Sequence, residues 1–193
     1  MRFLGRSKAY GKSARQFMIK FNAILDKSPD EIFGGVVQRT DFKQVLKFFR
    51  LLADDSLDDE EKSAKVLTLF FTELPDVDDV WPYIESFIQG PDVPEGESEK
   101  RVFDYNVDHG RIYAAFLQTY NIDLRTASMH WWTFLELLQN LPEDTKLMQV
   151  IKLRGEKPDK NMTPEQRRAL RKMQNRFRLD DNFNALEHFL NGL

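Results

Sequence analysis

Apolar side chains return every three or four residues along most of this chain, a spacing that suits amphipathic helices and little else. After Thr40, a hydroxyl suited to capping a helix, Phe42, Val45, Leu46, Phe49 and Leu52 share one face at 3.6 residues per turn. A second helix is predicted to open on Asp58, Asp59, Glu60 and Glu61, acids that favour the positive end of the helix dipole. It runs through Val66, Leu67, Phe70, Phe71 and Leu74 to a stop at Pro75. A third, near residues 79–89, buries Val80, Trp81, Ile84 and Phe87, with Pro82 admissible only in its first turn. Ile112, Tyr113, Phe116 and Tyr120 mark a fourth; Trp131, Phe134, Leu135, Leu138 and Leu141 mark a fifth. Pro142-Glu143-Asp144 opens a sixth, which continues through Leu147, Val150 and Ile151. Thr163-Pro164-Glu165-Gln166 has the hydroxyl, proline and glutamine of a helix start, and its basic helix carries only Leu170, Met173 and Phe177 as an apolar seam. A last short helix is predicted over residues 182–190.

Sixteen Phe against nine Gly and eight Pro suit long helices that bury rings against one another. One segment breaks the pattern. In Glu31–Gln38, Gly34-Gly35 separates two short β-favouring pairs, the signature of a two-residue hairpin whose central residues need positive φ. The expected fold class is all-α, a compact multi-helix domain with one small β-hairpin near residues 31–38. Residues 1–17 are basic and aperiodic and read as a flexible arm; residues 18–193 read as a single helical domain. Within it, the Gly-, Pro- and charge-rich stretch at 90–101 is a loop between two helical sub-units.

Chemistry-bearing motifs are absent from the sequence. Without cysteine there is no disulfide, thiolate metal site or cysteine nucleophile. His109, His130 and His188 lack a second histidine at metal-ligand spacing, and His130 beside Trp131 reads as a hydrogen-bonded structural residue. Adjacent acids such as Asp78-Asp79 and Asp180-Asp181 point apart on a helix and make poor acid–base pairs. Gly11-Lys12-Ser13 imitates the end of a phosphate loop, but Arg6 stands where its first glycine belongs. Ser128 lacks the flanking glycines of a nucleophile elbow. No catalytic, cofactor-binding or metal residue is assigned, and no enzyme or cofactor is expected. No apolar run of membrane-spanning length and no secretory signal occurs, so a cytoplasmic location is expected.

The remaining features point to partners. Trp131-Trp132 lie about 100° apart on a helix, so one ring is expected in the core and the other at a boundary, where it could anchor a partner helix. Charge is segregated: residues 54–99 hold fifteen acids against two lysines, and residues 152–178 hold ten Lys/Arg against three acids. These blocks either steer partners by electrostatics or, as the plainer reading, pair with each other or form solvated surface. Arg167, Arg168, Arg171 and Lys172, in the basic helix 163–178, join Trp131 and Trp132 as candidate partner-binding residues. That helix also suits phosphate contacts, but a pI near 5.7 and the lack of any nucleic-acid-binding motif favour a solvated helix, or one docking on an acidic protein, over nucleic acid.

Several stretches in one order resemble the bacteriophage gene-product-fifteen family of long-tailed phages and prophages. They are Thr40-Asp41-Phe42, Leu57-Asp58-Asp59-Glu60-Glu61-Lys62, Phe103-Asp104 with Asp108, and Ile112-Tyr113-Ala114-Ala115-Phe116. The most specific are Tyr120-Asn121-Ile122-Asp123-Leu124, His130-Trp131-Trp132-Thr133-Phe134 and Leu141-Pro142-Glu143-Asp144-Thr145. The resemblance covers about Met18 to Leu179. Genes of this family commonly precede the tape-measure gene, so the resemblance implies a tail assembly chaperone in the host bacterial cytoplasm. Its implied partners are the phage tape-measure protein and the tail-tube protein; self-association is left open. The alternatives are a structural virion protein at a tail or connector interface, and a nucleic-acid-binding protein using helix 163–178.

Overall fold

A computed structural model of the chain describes residues 31–33, 35–76, 80–90 and 101–179. The expected arm at 1–17, the interior of the 90–101 loop and the helix at 182–190 lie outside the described residues. Those described form two compact units. One comprises the residues up to 90 together with Ser128–Leu137; the other comprises 101–127 with 138–179.

The mainly α fold with one hairpin is present as expected. β1 (Glu31–Phe33) pairs antiparallel with β2 (Val36–Gln38) in the register Glu31↔Gln38, Ile32↔Val37, Phe33↔Val36. Gly35 holds φ +79°, the positive value the tight turn demands. Seven helices follow among the described residues: α1 (Phe42–Leu52), α2 (Asp59–Phe70), α3 (Trp81–Gln89), α4 (His109–Tyr120), α5 (Trp131–Gln139), α6 (Lys146–Gly155) and α7 (Pro164–Arg176).

In the first unit, α1 is capped by Asp41 and not by Thr40. One oxygen of Asp41 accepts from the Lys43 N–H at 2.9 Å; the other accepts from the Ser128 hydroxyl at 2.7 Å and the Met129 N–H at 3.2 Å. A carboxylate can serve both segments at once, which a single hydroxyl cannot match. Thr40 instead gives its carbonyl to the Trp131 N–H at 2.8 Å, part of a short antiparallel bridge between Asp41 and His130. The face of α1 that is buried carries Phe42, Val45, Phe48 and Leu52. Phe48 thus replaces Phe49 in the predicted stripe, and Leu46 and Phe49 are half-buried.

α2 starts as expected, with a reciprocal capping box between Asp58 and Glu61. Its end comes at Phe70, before Pro75. The Arg39 N–H takes the Phe70 carbonyl at 2.7 Å, the Arg39 guanidinium takes those of Thr68 and Phe71, and Phe71 bridges to Gln38. These long-range partners give the last carbonyls what a further helical turn would have given. Leu74, expected in the core, is 73% exposed.

α3 ends against α5. The indole N–H of Trp131 donates to the Ile88 carbonyl and that of Trp132 to the Phe87 carbonyl, both at 2.8 Å, so two tryptophans cap the C-terminal end of α3. At the C-cap, Gly90 has φ +84°, and a Cβ there would lie 2.9 Å from the Leu135 side chain. His130 precedes α5, buried, its Nδ1 accepting the Trp132 N–H at 3.1 Å. Phenylalanines fill the unit: Phe42 stacks on Phe134 at 4.9 Å, and Phe70 meets Phe48 at 5.7 Å and Phe87 at 6.1 Å.

Because Asp41 ties α1 to residues 128–129, Asp41→Ala removes a cap and two further hydrogen bonds, an expected cost of about 2 kcal/mol. A urea-unfolding midpoint unchanged from the parent chain would contradict that role.

Candidate functional site

In the second unit, Leu147, Val150 and Ile151 set the inward face of α6, and Arg154 falls at the next position of the same face. A charged group is thereby carried into the interior. Arg154 is 3% exposed and meets Asp108, which is fully buried, through two contacts of 2.7 and 3.1 Å. Further bonds surround the pair. Arg154 also donates to the Val102 carbonyl at 3.0 Å and the Phe177 carbonyl at 2.6 Å. Asp108 accepts in addition from the Asp104 N–H at 3.1 Å and from Arg111 at 2.8 Å. Buried ions are tolerated only when paired and bonded in this way.

This pair helps to hold α7. Arg154 grips the chain just past the helix, at Phe177, and Gln174 donates to the Leu153 and Glu156 carbonyls at 3.0 and 2.8 Å, capping the end of α6. Arg111, Lys146 and Arg176 surround the Phe177 ring at 5.4 to 5.7 Å from its centroid. The start of α7 is the expected one, a capping box between Thr163 and Gln166 with Pro164 at N1. Leu170 is buried; Phe177 is half-buried; Met173, expected in the seam, is 43% exposed.

With its inner side docked, α7 displays cations. Arg167, Arg168, Arg171 and Lys172 are all exposed. Arg167 donates to the Lys160 carbonyl at 3.0 Å, while Arg168, Arg171 and Lys172 form no hydrogen bond or ion pair among the described residues. Arg168, Lys172 and Arg176 stand at i, i+4 and i+8, one above another on the outer side. Like charges at this spacing destabilise a helix by roughly 0.2–0.5 kcal/mol per pair. The acids of residues 54–61 are likewise exposed and bond only locally. The Ser56 hydroxyl, for example, holds the Asp54 carboxyl below its usual value. Among the described residues, these acids and the cations of α7 stand as solvated surface, whereas Arg154 of the same basic block is paired inside.

The other sequence candidates are placed differently. Trp131 and Trp132 are both buried, at 1% and 7% exposure. The expected boundary ring is thus also in the core, because α3 offers a carbonyl to each indole; neither ring is displayed to a partner. His109 lies exposed at the start of α4, Nδ1 on the Asn106 carbonyl at 2.7 Å. Among the described residues no three His, Cys, Asp or Glu side chains converge as a metal would need, and no helix is long and apolar enough to cross a membrane.

The specific sequence stretches named above fall on these supports. Asp41 and Asp58 cap helices, His130-Trp131-Trp132 closes α3, and Asp108 receives Arg154. A family model for Bacteriophage Gp15 protein matches residues 37–179, well over half of the chain. The chain belongs to the Bacteriophage Gp15 protein family. No curated protein and no solved structure matches it. The Gp15 match starts at Val37, later than the resemblance traced from Met18, and ends at Leu179 just beyond α7. It therefore includes both the indole pair and the exposed cations of α7.

Counting Arg154 among the cations of a basic block hid its role, although its register with Leu147, Val150 and Ile151 was the available signal. For this Gp15-family chain, Arg154→Met leaves Asp108 buried with one cation fewer, an expected loss of about 3 kcal/mol. Added to Asp108→Leu, the same change costs far less than it does alone. Equal costs in both backgrounds, measured by urea unfolding, would show that the two side chains do not act as a pair.

Proposed function

We propose that this phage protein is a tail assembly chaperone, which binds the tape-measure protein in the host bacterial cytoplasm during tail morphogenesis and carries out no catalysis. Membership of the Bacteriophage Gp15 protein family, over residues from both units, is the observation that carries this reading. The step from phage protein to chaperone rests on the tape-measure-adjacent role that the sequence resemblance implies. A tape measure is long and helical, and apolar stripes left bare along it would aggregate. A chaperone covers them and is displaced as tail-tube subunits assemble around the same helix.

The proposed contact residues are Arg167, Arg168, Arg171 and Lys172. They are exposed on a helix whose inner side is already occupied, so a partner can reach them without unfolding anything. Charges displayed in this way speed encounter and set orientation, and they release the partner readily. Trp131 and Trp132 leave the list of contacts, since both indoles are engaged inside the fold.

Co-expression with the tape-measure protein of the same phage tests the reading. The expected outcome is a soluble tape measure that co-purifies with this chain, and mature particles that lack it. A tape measure that stays insoluble, with this chain found in purified particles, would replace the chaperone by a structural virion protein.

A further inference from the structure

The outer stripe of α7 has a spacing as well as a charge. Arg168, Lys172 and Arg176 recur once per four residues, about 6 Å apart along the helix axis. The helix is held by its cap at Thr163, by Gln174 on the end of α6 and by Arg154 at Phe177, so the spacing is fixed before any partner arrives. A second helix laid alongside matches it when its carboxylates also recur every fourth residue. Arginine adds geometry to charge, because its planar fork takes a carboxylate through two bonds.

Three polyanions could answer such a stripe: a nucleic acid, a second copy of this chain, or an acidic segment of another protein. Nucleic acid is disfavoured by the exposed, base-free acidic run at 54–61 and by the chain's net charge of −3. Met173, 43% exposed on the flank of the stripe, offers apolar contact that suits a protein helix and not a phosphate backbone. A second copy fits poorly. Among the described helices none carries acids four residues apart: α2 has Asp59, Glu60 and Glu61 with Ser63, Ala64 and Lys65 four residues on, and α3, α5 and α7 hold one acid each.

We infer that the outer face of α7 receives an acidic helical segment of the tape-measure protein, one whose Asp or Glu side chains recur at every fourth position. This rests on the chaperone reading and adds to it the chemical class of what is bound. The like-charge crowding on α7 is then relieved when the carboxylates dock, so binding strengthens as ionic strength falls.

The test uses overlapping peptides of about 30 residues that tile the tape-measure protein, probed with the full chain at low and raised salt. The captured tiles are expected to carry acids every fourth residue and to bind at least tenfold more weakly as salt rises from about 50 to 300 mM. The variant Arg168→Glu/Lys172→Glu/Arg176→Glu, whose fold is checked by circular dichroism, is expected to lose these tiles. Capture of apolar or basic tiles that ignores both salt and charge reversal would overturn the inference and leave the chaperone reading intact. So would binding of the full-length tape measure with no acidic tile retained. Failure to bind either tiles or full-length tape measure would sink the chaperone reading itself. Retention of duplex DNA, or salt-sensitive self-association lost in the reversal variant, with acidic tiles ignored, would assign the face to another occupant and overturn the inference.

Discussion

A buried arginine must be answered on every side, and in this chain Asp108 does most of the answering. Desolvating both ions is costly, and backbone groups and Arg111 offset that cost with further bonds to the pair. The bonds reach Val102, the start of α4, the end of α6 and the residue after α7. One ion pair thus fixes four pieces of the second unit. It also separates roles within one basic block: Arg154 is neutralised inside, while Arg168, Arg171 and Lys172 remain outside with their charge unspent.

The first unit meets a related need with different groups. Its helices run nine to twelve residues, too short to be stable alone in water. Packing against other segments must therefore hold them, and polar side chains link several of their ends to residues distant in sequence. Asp41 serves α1 and the strand-like residues 128–129; Arg39 serves the last turn of α2; the two indoles serve α3. Residues 128–137 are what make this unit whole, although nearly forty positions of sequence intervene between them and α3.

Local rules are written where they act, and those were legible. Helical period placed every helix among the described residues, and the acidic start of α2, the capping box at Thr163 and the Gly-Gly hairpin were readable from a few letters. Illegible were the features that join distant segments. The return of 128–137, the early end of α2 and the burial of both tryptophans depend on which carbonyls lie nearby in space. Arg154 shows the middle case: its register pointed inward, yet its charge invited an outward reading. For the candidate site, the exposure of Arg167, Arg168, Arg171 and Lys172 followed from a helix with a thin apolar seam, whereas the indole candidates belonged to the fold.

Buried polar side chains hold the helices, and in the proposed reading the charged outer face of α7 is what meets the tape-measure protein. Hydrogen–deuterium exchange of the chain alone and with tape-measure protein added tests that division most directly. New protection concentrated in residues 164–176, with residues 128–137 unchanged, is the predicted result. Protection centred on the Trp131–Trp132 segment, with α7 exchanging as before, would contradict it and return the indoles to the binding site.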